Sequence, residues 1–325
     1  MIRSLARPAR QYGLQVVILV AIIVTLVIVA PTFRGEAAIY ATLERLVLLG
    51  IATAGIAVTM IAAELDLSVG SMAVLAGVVA VQLSGLGLVP SIAIATLVGI
   101  VLGAAQGWLI AKLGINSLVF TVGTLILLKG AAWIAAGGAP ITVTDFTITD
   151  PLLMRFWMFS PLSTVAILVL VAVGVFLVWT KWGREIYAIG GSRPEAIAAG
   201  VPIRRPMVVA FAIAGACGAL AGALASMKGG SVTPDSYSNL VLSCVAAALV
   251  GGISLYGGRG DMINIALGVL IVAVLSAGLS AMGMQSFVSE LLTGMLLLAV
   301  IVIEFVIGRV LGRRKLRRLQ FAAAA

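Results

Sequence analysis

The chain has 325 residues, 62% of them hydrophobic and only 10% charged, which leaves too little polar surface to cover a water-soluble globule of this length. Its formal charge of +9 comes from 21 basic against 12 acidic residues, but the basic residues gather at the ends of apolar runs rather than on a soluble face, which argues against nucleic acid as a partner. Histidine is absent, so histidine-based catalysis and most zinc chemistry are removed, and with no GxSxG or metal pattern an enzyme is the weakest reading.

An all-α integral membrane protein is the class that remains. Runs such as residues 14–30 and 163–178 are continuously apolar, lack the two-residue alternation of a membrane barrel, and are long enough to cross ~30 Å of hydrocarbon. Residues 14–30 follow Arg3, Arg7 and Arg10, and no small-residue cleavage site on a polar segment comes after them. They read as an uncleaved first span. Further spans are expected at 45–62, 67–83, 90–111, 118–136, 159–179, 207–226, 240–253, 262–282 and 287–307, about ten transmembrane helices in all within a single domain over residues 1–325. With the amino terminus inside, only Arg34, Arg45, Lys129, Arg155 and Lys228 of the 21 basic residues fall outside or in the outer half of a span. That asymmetry supports this orientation and places both termini in the cytoplasm.

Between the second and third spans, ELDLSVGS brings Glu64, Asp66, Ser68 and Ser71 together. One carboxylate at a bilayer centre costs at least ~2.5 kcal/mol, so the group either lines a polar path or sits in a wet inside turn where Asp66 or Ser68 caps the next helix. Gly99, Gly103 and Gly107 recur every fourth residue, as do Gly218 and Gly222; the spacing lets helix backbones touch, within one subunit or at a dimer seam. Gln106, Asn116, Ser117, Thr121 and Thr124 offer amides and hydroxyls, either to a neutral polyol in transit or to neighbouring helices. Lys129 and Glu304 lie near span ends, where long side chains snorkel.

Residues 137–160 form the largest expected outside loop, with Phe156, Trp157 and Phe159 as an interfacial anchor. A second outside segment runs from 228 to 239, and these two are the surfaces an extracytoplasmic partner would meet. Between them, 181–206 is the longest polar interval of the chain, with Lys181, Arg184, Arg193, Arg204 and Arg205 against Glu185 and Glu195. Ser192 is placed to cap a short helix over 193–199, with Pro194 in its first turn and Gly200 as its stop. Its apolar face, Ala196, Ile197 and Ala199, suits docking into a cleft of a soluble partner. Cys217 and Cys244 sit in apolar segments, which makes a disulfide framework unexpected. The glycine-rich GGISLYGGRG at 251–260 lacks the lysine and Ser/Thr of a P-loop and reads as a tight inside turn. The basic tail, 309–325, suits anchoring at a lipid surface or binding a partner.

Four pieces in order, LDLSVGS at 65–71, NSLVFTVGT at 116–124, Gly183-Arg184 through Tyr187-Ala188-Ile189-Gly190-Gly191, and GGISLYGGRG, together resemble the permeases of monosaccharide ABC importers of the ribose and xylose type. The resemblance implies the ABC-importer permease fold in a bacterial inner membrane. It also implies a second permease copy, ATP-binding cassette subunits on the cytoplasmic face that hold ATP and Mg, and a periplasmic or lipid-anchored sugar-binding protein on the other face. No cofactor is expected in this chain. Under the resemblance, 193–200 becomes the coupling helix, with Arg184, Arg193, Glu195, Ala196, Ala199 and Gly200 facing the ATPase. Asp66, Ser68, Ser71, Gln106, Asn116, Thr121 and Thr124 are the candidate pathway residues. The sequence departs from the family pattern at Ala63-Glu64, where a glycine pair is usual, and at Ser276, Ala277 and Ser280, where asparagines are frequent. The rival reading is a stand-alone secondary transporter or channel with Glu64 and Asp66 as ion sites.

Overall fold

The structure, a computed structural model, describes residues 2–300 and 302, with the backbone alone for 2–11. Arg3, Arg7, Arg10, Glu304 and the tail 309–325 therefore lie, in side chain or entirely, outside the described residues. Helices follow the apolar runs in order: α1 (Ile2–Val29), α2 (Glu36–Arg45), α3 (Ile51–Ile61), α4 (Val69–Gln82), α5 (Leu88–Leu113), α6 (Ser117–Ala135), α7 (Asp150–Leu153), α8 (Pro161–Trp179), α9 (Lys181–Gly191), α10 (Arg193–Ala198), α11 (Arg204–Gly229), α12 (Leu240–Val250) and α13 (Met262–Ala281). The described part of the last, α14, is Ser286–Val300. A π-turn over Leu46–Gly50 joins α2 to α3, making Glu36–Ile61 one span.

Local signals set the ends. Asn116 caps α6, accepting from the Leu118 amide at 2.9 Å. Ser160 and Ser163 close a capping box ahead of Pro161, and Asp261 and Asn264 close another at α13. Gly114 and Gly230 stop α5 and α11 in the left-handed conformation.

Nine of the ten expected runs are largely helical, and the tenth, 287–307, lies partly outside the described residues and is helical over its described part to Val300; among the described residues seven helices are long and apolar enough to cross a membrane. The helices α4, with 14 residues, and α12, with 11, are too short. At ~1.5 Å per residue they reach about 21 and 16 Å, well under the ~30 Å of a bilayer core. The chain is non-helical before each, at 62–68 and 233–239; Asp66 and Ser68 in the first stretch are buried, whereas Thr233, Asp235, Ser238 and Asn239 in the second are exposed. Ile61, Ala62 and nearly all of α4 are buried.

Helix α11 is the spine. Its Gly215 side meets the Gly99-Gly103-Gly107 stripe of α5, where a Cβ on Gly103 would lie 2.2 Å from the Phe211 carbonyl oxygen. Its Gly218 and Gly222 meet Val69 and Ala73 of α4, with a Cβ on Gly222 only 2.0 Å from the Ala73 carbonyl. Both stripes therefore pack within one subunit, the first of the two readings the spacing allowed. Helices α1, α5, α6 and α8 turn apolar side chains such as Ile28, Leu97, Ile126 and Leu168 outward, as lipid-facing helices do. Cys217 and Cys244 are buried free thiols.

The two ends of the bundle differ. At the end opposite residues 181–206, the far end, Ile141–Thr142 pairs antiparallel with Ser231–Val232. There the five basic residues are all engaged. Lys129 pairs with Asp235 at 2.8 Å and Lys228 with Glu44, while Arg34 and Arg45 donate to the Val27 carbonyl and the Ser280 hydroxyl at 2.7 Å each. Arg155 stacks over Tyr40 and donates to the Trp157 carbonyl. Trp157 is exposed and donates to Glu36, consistent with an interfacial anchor. The other end, the basic end, carries Arg204, Arg205 and Arg259 exposed to solvent.

Gly103→Leu should force α5 off α11 and cost ~1–3 kcal/mol or more, read as a lower unfolding temperature in detergent. Gly123→Ala, at a position with nothing within 4 Å, should be neutral or slightly stabilising in the same measurement.

Candidate functional site

At the basic end three backbone segments converge: the end of α3, the end of α9 and the glycine-rich turn. The Gly258 amide donates to the Ile61 carbonyl at 2.8 Å. A Cβ on Gly190 would lie 1.8 Å from the same oxygen, and one on Gly257 would lie 2.5 Å from the Ala63 Cβ. Gly252, Gly257, Gly258 and Gly260 all adopt positive φ, so the tight-turn reading of this stretch holds and these positions need glycine. Tyr187 of α9 donates to the Gly260 carbonyl at 2.8 Å. Burial, aided by the nearby Asp261 carboxylate, pushes its phenol up to about 12.

From this junction α10 projects. Ser192 has the extended backbone of a cap, but its side chain makes no cap bond. The helix ends at Ala198, one residue earlier than expected, and Gly200 at φ +78° turns the chain out of it. The expected apolar face is split. Ala196 is buried, whereas Glu195, Ile197 and Ala199 stand in solvent. Arg184 is exposed on α9, and Arg193 donates to Glu64.

Glu64 opens the turn that leads to α4. Ala63 before it sits at φ +60°, a conformation costing a non-glycine residue ~1–2 kcal/mol, which accounts for the usual preference for glycine there. Beyond Glu64 the polar residues bond one another. The Ser68 amide and hydroxyl both donate to one Asp66 carboxylate oxygen, at 2.9 and 2.6 Å. The Ser68 hydroxyl also lies 3.1 Å from Gln106 Oε1, which Thr124 approaches from α6 at 3.4 Å. Thr121 accepts from the Leu67 amide at 3.2 Å and donates to the Leu65 carbonyl at 3.1 Å, while the Leu65 amide donates to Ser117. Asp66 and Ser68 are buried although Ala63 is exposed and Glu64, Leu65 and Leu67 partly so, and neither side chain caps α4. Asn116, out at the basic end, is exposed and spends its side-chain oxygen on the α6 cap.

Ser71 stands apart from this cluster. With Gly70, Lys129, Tyr237 and Ser238 it lines a cavity of about 290 Å³ where the start of α4 meets the start of α12. A Cβ on Gly70 would be 2.8 Å from Val241 of α12, so the two short helices touch at their amino-terminal ends. On the other side of the 234–242 segment a cavity of about 820 Å³ opens, lined by Tyr237, Ser238, Asn239, Ser276, Ser289 and Thr293 among others. Tyr237, at φ +63°, bonds Ser226 of α11 at 3.0 Å and separates the two spaces. The sequence reading placed Tyr237 in the outside segment 228–239 and did not single out Tyr237 or Ser238 as cavity-lining residues. The signal was present in the apolar run that follows, too short to span.

A family model described as the permease component of branched-chain amino acid transport systems matches residues 38–301. The chain belongs to this family. Among similar proteins are the ribose import permease of Escherichia coli K12, 26% identical over 88% of this chain and 90% of its own, and that of Bacillus subtilis, 29% identical over 87% and 89%. The fructose import permease of Rhizobium meliloti is 28% identical over 89% of this chain and 83% of its own. No solved structure matches. The permease is thus a multi-pass membrane transport subunit rather than an enzyme, and the resemblance to monosaccharide importers drawn from its motifs agrees with these relatives.

For the permease, Thr121→Val keeps side-chain volume but strands the Leu67 amide and Leu65 carbonyl. It should cost ~1–3 kcal/mol and raise hydrogen exchange at residues 64–68. Unchanged exchange there would contradict the assigned bonds.

Proposed function

We propose that the permease is the membrane subunit of an ATP-binding-cassette importer that moves a small neutral sugar or polyol into a bacterial cell. The observation that carries this reading is the form of α10: a short helix at the basic end with Glu195, Ile197 and Ala199 in solvent and Arg193 tied inward to Glu64. A helix presenting one anionic and two apolar side chains fits a cleft in a soluble motor subunit. Movement of that subunit on binding and hydrolysing ATP would be delivered to the spans that α9 and α10 join. Arg184, Arg193, Glu195, Ala196, Ala199 and Gly200 form this coupling segment, and ATP with its Mg belongs to the partner.

The substrate class rests on the import permeases for ribose, allose and fructose among the similar proteins, and the hydroxyls of Ser71, Tyr237, Ser238, Ser276, Ser289 and Thr293 in the mainly apolar cavity walls are compatible with it. A neutral polyol needs hydroxyl and amide partners rather than a counter-charge. In this reading a sugar-binding protein, periplasmic or lipid-anchored, meets the far end across 137–160 and 228–239. The path passes Ser71 and the Asp66, Ser68, Gln106, Thr121 and Thr124 cluster, with Asn116 at its basic mouth. A second permease copy completes it, lipids surround it, and both termini are cytoplasmic because the uncompensated cations lie at the basic end. Glu64 is engaged by Arg193, which takes it away from the ion-site role that a stand-alone transporter would give it.

Glu195→Arg should leave membrane insertion at the wild-type level and reduce co-purification of the cognate ATPase at least tenfold. Full retention of the ATPase by this variant would overturn the assignment of α10.

A further inference from the structure

Glu64 belongs to neither the coupling segment nor the pathway cluster, yet it touches both. Its backbone amide donates to the Thr59 carbonyl at 2.9 Å, fixing it to the end of α3. Its carboxylate receives the guanidinium of Arg193, the first residue of α10, which also lies 3.6 Å from the Met207 sulfur of α11. The Glu64 side chain is 8% exposed and that of Arg193 44%. The carboxylate is therefore largely removed from water, and losing its cation leaves it uncompensated there.

Position makes this pair more than a surface bridge. The backbone junction of Gly190, Gly258 and Ile61 locks the end of α9 to the end of α3, but it stops short of α10, which leaves α9 through the extended residue Ser192. Among the described residues, Arg193 to Glu64 is the side-chain hydrogen bond that joins α10 to the 64–71 turn. Past Glu64 there is no slack. Leu65 is held by Ser117 and Thr121 of α6, and Asp66 two residues on is held through Ser68 to Gln106 of α5. Two residues of chain span at most ~7 Å, so a displacement of Glu64 large enough to move its backbone is passed to Asp66 rather than absorbed.

We propose that Glu64 is a positioning residue for transport: with Arg193 it forms a charged latch that carries the movement of α10 into the 64–71 turn, and through it into the Asp66, Ser68 and Gln106 cluster. The inference rests on the reading of α10 as the segment gripped by the motor. It makes Glu64 neither an ion site nor a simple staple. An ion site would keep its carboxylate free for a cation, and a staple would affect stability and assembly rather than the ratio of sugar moved to ATP spent.

The test uses the complete importer, the permease with its cognate ATPase and sugar-binding protein, in proteoliposomes. The probe is whichever of radiolabelled ribose, allose or fructose the wild-type complex takes up. Glu64→Gln should assemble and hydrolyse ATP as the wild type does while sugar moved per ATP falls at least fivefold. Glu64→Arg, which faces Arg193 with a like charge, should lower that ratio further, and adding Arg193→Glu should recover at least half of the loss. Wild-type stoichiometry in Glu64→Gln would overturn the latch, as would a charge-swapped pair no better than Glu64→Arg alone. Equal losses of assembly, hydrolysis and uptake in Glu64→Gln would also overturn it, by reducing Glu64 to a structural residue. A wild-type chain that neither binds an ATPase nor needs one would instead sink the importer reading beneath it.

Discussion

The contact on which the rest of the molecule depends is backbone against backbone at the basic end, where the Ile61 carbonyl takes the Gly258 amide and faces Gly190 with no room for a Cβ. Side-chain contacts yield by rotamer changes, whereas two main chains at van der Waals distance have no such freedom. The ends of α3 and α9 and the glycine-rich turn are thereby made one body. Whatever displaces α9 displaces Ile61, and Ile61 is the last residue of the deeply buried span that leads into the candidate pathway turn.

A second set of close approaches joins that body to the rest of the bundle. Helix α11 begins just after the coupling segment and runs the whole depth of the protein, with α5 seated on Gly215 and α4 on Gly218 and Gly222. Small residues on both faces bring these backbones together where bulkier ones would separate them, and in a membrane such packing replaces the missing hydrophobic drive between helices. The short helices α4 and α12 are held within this frame. Where their amino-terminal ends touch, the hydroxyls of Ser71, Tyr237 and Ser238 reach a cavity between them.

Much of this was legible in the sequence because membrane helices announce themselves by composition, and because glycine at fourfold spacing has few uses other than close packing. The exposed Glu195 and Ile197, the turn at Gly200 and the glycine-rich 251–260 turn follow from the same local chemistry. What was not legible is what depends on partners distant in sequence. Nothing in ELDLSVGS says that Glu64 meets Arg193, 129 residues on, or that Asp66 and Ser68 are both buried and bond one another. Hydrophobicity windows also overcount spans, since an 11-residue buried helix such as α12 is as apolar as a full-length one. Tyr237, which lines both cavities, lies in a Pro- and Asp-containing stretch that reads as an outside loop, and only the fold brings it beside Ser226 and Ser71.

The physical claim beneath the account is that this chain has no energy source of its own and is driven at its basic end by a nucleotide-hydrolysing companion. Uptake into liposomes tests it most directly, comparing the purified chain alone, under proton or sodium gradients, with the chain plus its ATPase, sugar-binding protein and ATP. The account predicts that radiolabelled ribose, allose or fructose accumulates only in the second arrangement. Gradient-driven accumulation by the chain alone would contradict it.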